Sequence, residues 1–286
     1  MLRIVTDGAA DMPDGWEEEF DIQIVPINIH FGEETFLQDI EMDLNSFYNK
    51  VDSGSVFPKT SQPSPHQFTE FYKTIAREGD TILSIHVTSK LSGTYASAVT
   101  AADTLIGKYN VIPFDSGGGS LGIAFMCRDA RLMEQAGKSV QEIMRHLEAV
   151  REKVEIILTL DTLEYARRSG RVGTLSAALA SLLNVKPVVR LEDGVLNMVD
   201  KVRTRKASLE RVIEMGKSAF GDDPVHLGVV HARDPKSAEN LMIEAMKHFK
   251  YRDVEQSDLS VSLAINLGPG TVGLVLYPAE QARKYE

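Results

Sequence analysis

The sequence predicts an α/β fold in two domains, a mostly parallel sheet followed by a mixed sheet. Three observations carry this. In the first half, short apolar runs alternate with stretches of helical period, as when strands are linked by helical crossovers. In the second half, Asp193-Gly194 stands between two apolar runs, the mark of a two-residue hairpin turn of type I′ and so of antiparallel strands. The length, 286 residues, favours two cores over one, and the pattern changes after Leu160. The expected units are a Rossmann-like N-terminal domain over 1–160 and a mixed-sheet α/β domain over 161–286.

In chain order, apolar runs at 2–5 and 22–31 read as strands, and periodic stretches at 44–51 and 65–77 as helices. The strand at 81–87 leads through Ser89-Lys90-Leu91-Ser92-Gly93-Thr94-Tyr95 into a helix at 93–106. Strand 111–114 precedes helix 121–135, and a helix at 140–151 precedes strand 155–160. Short helical patterns at 162–168 and 175–183 then flank Ser169-Gly170-Arg171-Val172-Gly173. Strands at 187–191 and 195–202 enclose the hairpin turn. Helix 206–220, strand 225–231, helix 236–249 and strands at 259–265 and 272–277 complete the chain. There is no internal repeat, heptad array or low-complexity segment.

Composition narrows the function. Hydrophobic residues make up 43% and charged residues 25%, the balance of a soluble globular protein. A formal net charge of −10 argues against general nucleic-acid binding, which needs a basic face. The single cysteine, Cys127, excludes a disulfide within the chain and reads as a buried structural thiol. The N-terminus enters a strand pattern without a signal-peptide layout, and no apolar run approaches the roughly 20 residues that span a bilayer. A cytoplasmic protein without stable membrane insertion is expected, and a monomer.

Two loops dominate the candidate chemistry: Lys59-Thr60-Ser61-Gln62-Pro63-Ser64-Pro65 and the 89–95 segment. Both are rich in hydroxyls and nearly free of ionisable groups. The second sits at a strand-to-helix junction, where backbone N–H groups face the crevice beyond the strand's carboxyl end. Together they read as a clamp for a small polar head group. The strand ends at Asp7-Gly8-Ala9-Ala10-Asp11 and Asp115-Ser116-Gly117-Gly118-Gly119-Ser120 border the same edge, although Asp and Ser there also serve as caps. The glycine runs 117–119 and Gly268-Pro269-Gly270 match no full nucleotide-binding pattern and read as tight turns. The seven histidines lack metal-ligand spacing, and no Gly-x-Ser-x-Gly elbow is present. An enzyme acting on a small phosphorylated or carbonyl substrate would have only Asp7, Asp11, Asp115 and His86 as bases. Arg171, set among glycines, can pair with a ligand carboxylate or with an acidic partner. The basic stretch Lys201-Val202-Arg203-Thr204-Arg205-Lys206 reads as a solvated hairpin edge.

The chain resembles the DegV family of bacterial fatty-acid-binding proteins from end to end. The resemblance rests on the two loops, on Thr162-Leu163-Glu164-Tyr165 and Ser169-Gly170-Arg171-Val172, and on Leu182-Leu183-Asn184-Val185-Lys186-Pro187. It continues through Lys201-Val202-Arg203-Thr204 and Gly268-Pro269-Gly270-Thr271-Val272-Gly273. It implies a long-chain fatty acid held between two domains, its carboxylate clamped by Thr60 and Ser92, with Ser61, Gly93, Arg171 and Asn266 around it. It implies no catalytic residue, metal or cofactor in this chain. The chemistry falls to a partner, a fatty acid kinase catalytic subunit that forms the acyl phosphate; the alternative is a stand-alone lipid sensor or transfer protein.

Three departures from the family pattern stand out: Asn266-Leu267 for His-Thr, Asp7-Gly8 for Asp-Ser, and Ser169-Gly170-Arg171 for Gly-Gly-Arg. Asn266 is expected still to donate a hydrogen bond to the carboxylate, although it cannot carry charge. A tail of about 15 methylenes gains roughly 12 kcal/mol gross on burial, part of it cancelled by ordering. The tail therefore supplies affinity, and the head clamp needs only to satisfy the desolvated carboxylate. Helices 121–133 and 175–183 are the expected channel lining.

Overall fold

The computed structural model describes residues 1–54, 56–171 and 185–279. The first half contains β1 (Leu2–Asp7), α1 (Trp16–Glu19), β2 (Ile22–Val25), β3 (Asn28–Phe31), β4 (Glu34–Leu37) and α2 (Leu44–Ser53). Next come β5 (Lys59–Ser61), α3 (Pro65–Ile75), β6 (Thr81–His86), α4 (Thr94–Thr104), β7 (Asn110–Asp115), α5 (Leu121–Gln135) and α6 (Val140–Arg151). The second half contains β8 (Glu155–Thr159), α7 (Glu164–Ser169), β9 (Lys186–Glu192), β10 (Val195–Val202) and α8 (Arg205–Phe220). It ends with β11 (Val225–His231), α9 (Pro235–His248), β12 (Tyr251–Asp258), α10 (Val261–Leu267) and β13 (Val272–Pro278).

Strands β2-β1-β6-β7 form an all-parallel sheet, as aliphatic runs separated by helices require. The second sheet, β10-β9-β8-β13-β11-β12, is mixed: only β11 and β12 pair in parallel. The α/β class and the parallel-plus-mixed pair of sheets are thus as expected. The hairpin turn is also as read, with positive φ at both Asp193 (50°) and Gly194 (76°).

Four local readings differ. The run 22–31 is two strands, not one. Pro26 has no N–H to give a ladder, so β2 stays in the parallel sheet while β3 joins β4 and β5 in a small antiparallel sheet. The first hydroxyl-rich loop is therefore an edge strand in part. Strand β8, counted with the first domain by a boundary at 160, pairs with β9 and β13 of the mixed sheet. Sheet membership changes between β7 and β8. The segment 259–265 is not a strand: the strand is the polar β12, at the sheet edge, and Ser260 opens α10. A short apolar run fits a buried helix as well as a strand, and an edge strand needs no apolar face.

Helix α5 packs against β1 and β6 on one side and β13 on the other. Twelve of its 15 residues are buried, so it is the filling between the sheets rather than a surface helix. Most of its buried charged groups find partners within the protein. Asp129 Oδ2 accepts from His146 Nε2 (2.8 Å) and Tyr277 Oη (2.7 Å), and Arg131 Nε donates to the Phe20 carbonyl (2.8 Å). Burial opposes ionisation of Asp129, but the His146 bond and the Arg128 charge outweigh it and hold the carboxyl below its usual range. Cys127 is fully buried here, and burial pushes its thiol pKa up. No helix among the described residues is long and apolar enough to cross a membrane.

Candidate functional site

β6 ends at His86, and the chain turns through residues 88–93 before α4. Leu91 N and Ser92 N both donate to the Thr88 carbonyl (3.1 and 3.2 Å), which closes the turn. Asp115, at the end of β7, accepts from Ser89 N (3.2 Å) and Gly117 N (3.0 Å) and fixes the loop's first residue. The hairpin of the mixed sheet supports it from below: Thr88 Oγ1 donates to the Gly194 carbonyl (3.2 Å). A Cβ at Gly194 would collide with Thr88 Oγ1 and sit 3.2 Å from Lys90 Cγ, besides needing positive φ. Gly194→Ala is therefore expected to cost about 2 kcal/mol and to loosen the 88–93 turn. Urea unfolding and amide exchange at Leu91 and Ser92 check this.

Gly93 precedes α4 as its N-cap and has no side chain to offer, so the first-turn N–H groups that Ser92 does not meet open toward whatever lies in front of this 11-residue helix. Ser92 Oγ accepts from Thr94 N (3.2 Å) and shares a hydrogen bond with Thr94 Oγ1 (2.8 Å). On the neighbouring strand β5, Thr60 lies opposite Ile29 and Ser61 opposite Asn28. Ser61 Oγ is bonded to His30 Nε2 (2.8 Å). Thr60 points to the other face, and no described residue engages its hydroxyl. The two loops touch: a Cβ at Gly93 would lie 2.9 Å from Gln62 Nε2, the end of a flexible side chain that can move aside, and the φ of −77° is ordinary.

The third wall is α10, tied to the first half of the chain. Ser260 N donates to Asp11 Oδ1 (2.7 Å), Ser262 N to Gln38 Oε1 (3.2 Å) and Ser262 Oγ to the Gly8 carbonyl (3.0 Å). Ser120 Oγ donates to the other Asp11 oxygen. These walls enclose a cavity of about 360 Å³. Thr60, Ser61, Ser92, Gly93, Arg171 and Asn266 all line it, with Ile27, Val87, Leu91, Leu196, Leu263 and Leu267 supplying apolar surface. Lys90 and Arg171 are exposed at its edge, and among the described residues neither makes an ion pair.

The family model described as an uncharacterised protein of the DegV family matches residues 1–279. This chain belongs to the DegV family. It is 33% identical over 278 residues to a DegV domain-containing protein of Halalkalibacterium halodurans, covering 96% of this chain and 98% of that one. It is 30% identical over 275 residues to Protein DegV of Bacillus subtilis, with the same shares covered. Among solved structures it is similar to a DegV-family protein of Thermus thermophilus described as binding fatty acid. That match has a TM-score of 0.89 at 29% identity and covers 97% of this chain and 99% of the other. DegV of Bacillus subtilis, described as a fatty-acid-binding protein, superposes with a TM-score of 0.84 at 29% identity over the same shares.

In this DegV-family chain the candidate bases are structural. Asp7 accepts from Ala9 N and Val87 N (both 3.0 Å) and lies 3.0 Å from His86 Nδ1. His86 Nε2 meets Ser84 Oγ (2.7 Å), which meets Tyr72 Oη (2.8 Å). The order acid, imidazole, hydroxyl is that of a hydrolase triad. Here it is sealed under α3, with Asp7, Ser84, His86 and Tyr72 at 0% exposure, and no substrate reaches Ser84. His231, at the end of β11, pairs with Asp258 (3.0 Å) beside a separate acidic cleft and does not line the DegV cavity.

Asp11 is the exception electrostatically. Burial raises its carboxyl from the ordinary 3.8 to about 7 against the lowering effect of the Ser120 and Ser260 hydrogen bonds. The folded protein thus holds this proton more tightly than the unfolded chain. Its contribution to stability is complete below pH 4 and is lost as pH rises through 7. Between pH 5 and pH 8 the wild type is expected to lose about 2 kcal/mol more than Asp11→Asn, as read by urea unfolding at both pH values.

Three expectations about the lining need correction or restriction. Helix 121–133 does not line the cavity, because α5 is consumed by the core between the sheets. The segment 175–183 lies outside the described residues. Asn266 has one amide N–H left to offer, since its Nδ2 already donates the other to the Ser262 carbonyl (2.6 Å). Sequence reasoning missed Leu196 and Ser262 as lining residues. Leu196 sits in an ordinary strand pattern, and Ser262 lay inside the misassigned strand, so neither carried a local signal.

Proposed function

We propose that this DegV-family protein binds one long-chain fatty acid in the cavity between its two halves, with Thr60 and Ser92 holding the carboxyl group. The observation that carries this is the convergence of six residues from four separated segments on one cavity that also has apolar walls. At about 360 Å³ it falls in the range of small-ligand sites, roughly 300–1,000 Å³. The Thermus and Bacillus relatives, described as fatty-acid binding, support the choice of ligand. Lys90 and Arg171 at the edge would draw an anionic lipid toward the opening. The protein works in the cytoplasm and presents its lipid to a fatty acid kinase catalytic subunit, which transfers phosphate to the carboxyl group.

Mass spectrometry of extracted purified protein, followed by palmitate titration of delipidated protein, is the test. One acyl chain per protein is expected. Neither co-purified lipid nor saturable palmitate binding would remove the proposal. Adding ATP and a fatty acid kinase catalytic subunit should yield an acyl phosphate, trapped by hydroxylamine. Binding without that product leaves a stand-alone carrier or sensor.

A further inference from the structure

β1 and β6 are neighbours in the parallel sheet, and their ladder runs from Leu2 opposite Thr81 to Val5 opposite Ser84 and stops there. β1 stays paired with β2 as far as Asp7, and β6 with β7 as far as His86, so beyond Val5 the two central strands part. A ligand crevice outside the carboxyl ends of a parallel sheet opens at such a place. One side chain spans the gap. Asp7 Oδ1 accepts from Ala9 N in its own loop, and Oδ2 accepts from Val87 N at the end of the neighbouring strand, both at 3.0 Å. His86 Nδ1, also 3.0 Å from Oδ2, holds the carboxyl group in that orientation. The two bridged segments are walls of the lipid cavity. Ala9 and Val87 line it, and Val87 leads into the turn that carries Ser92. The carbonyl of Gly8, between Asp7 and Ala9, accepts from Ser262 Oγ (3.0 Å), and Ser262 lines the cavity from α10. Asp7 itself is fully buried and meets no ligand. A buried N–H left without its acceptor is costly, so the spacing that these bonds impose is stiff.

We propose, resting on the lipid-binding reading above, that Asp7 is a positioning residue for the lipid. Its carboxyl group sets the distance between the 8–11 loop, which carries α10, and the 87–93 turn, which carries Ser92. It thereby fixes the width at which the head clamp and the apolar walls meet the ligand. The coupling is reciprocal: the factor that the Asp7 bridge contributes to lipid affinity is the factor by which bound lipid stabilises the bridge.

The test is palmitate titration of delipidated wild type, Asp7→Asn and Asp129→Asn. Asparagine keeps the size of Asp7 but only one acceptor oxygen, so whichever way the amide turns, Ala9 N or Val87 N faces an NH2 group. Asp7→Asn is expected to bind palmitate about tenfold more weakly. Asp129→Asn makes the same exchange at a buried, hydrogen-bonded aspartate that does not line the cavity. It should stay within about threefold of wild type, although both variants lose stability. Equal losses in the two variants, or no loss in Asp7→Asn, overturn the proposal and leave lipid binding standing. Reciprocity supplies a second readout on wild type alone, which decides if Asp7→Asn does not fold. Saturating palmitate should slow amide hydrogen exchange at Ala9 and Val87 about tenfold, and unchanged exchange at both overturns the proposal. A wild type that does not bind palmitate removes the lipid reading and this inference with it.

Discussion

Thr60→Val combined with Ser92→Ala is expected to weaken palmitate binding about a hundredfold. Each hydroxyl supplies a donor to a carboxyl group removed from water, worth roughly 1.5 kcal/mol, and 1.4 kcal/mol is a factor of ten in affinity. The two losses are not structurally equivalent. Thr60 Oγ1 serves no described neighbour, and valine keeps its shape, so β5 and its pairing with β3 should persist. Ser92 Oγ also accepts from Thr94 N, so alanine there uncaps one N–H of α4 and should cost about 1 kcal/mol of stability as well. Ser61→Ala is the control. Its hydroxyl is spent on His30, and the variant should bind within about threefold of wild type. A folded double variant with unchanged affinity would refute the clamp, and equal losses in double variant and control would refute its assignment to these two hydroxyls.

Gly273→Ala should cause the largest loss of stability, about 4 kcal/mol. Gly273 lies on β13, between β8 and β11 in the middle of the mixed sheet, opposite Leu158. A Cβ there would stand 2.5 Å from the Ile157 carbonyl oxygen and 2.9 Å from Leu158 Cα. Both are backbone atoms of a strand held by ladder bonds on its two edges, so neither can step aside as a side chain would. A shift of the urea midpoint at constant m-value, or failure to accumulate folded protein, is the expected readout. A variant within 1 kcal/mol of wild type would mean that β8 and β13 separate more easily than their packing implies. This glycine closes the Gly268–Gly273 motif, so part of that motif's meaning is sheet packing rather than ligand contact.

Periodicity was enough for the parallel sheet, because β1, β6 and β7 each carry an apolar stretch and helical stretches separate them. It failed where burial is one-sided or brief. β12 is a mostly polar, half-buried edge strand, and the buried α10 spans only seven residues, too few for a helical period to show. The short β3–β4–β5 sheet was invisible because its pairing depends on where Pro26 turns the chain.

The site divides along the same line. By itself the sequence determined which hydroxyls, glycines and cations are available, that Asp193-Gly194 turns a hairpin, and that the chain resembles the DegV family. These rest on local chemistry and short-range spacing. Only the tertiary structure decided that residues as distant as Thr60, Ser92, Arg171 and Asn266 border one cavity, and that α5 fills the core instead of lining it. It also decided that Ser84, His86 and Asp7 are sealed away and that one of the two Asn266 amide hydrogens is spent on the Ser262 carbonyl. The physical reason is that hydrogen-bond capacity belongs to a residue, whereas the part of it left for a ligand depends on which neighbours folding brings within about 3 Å.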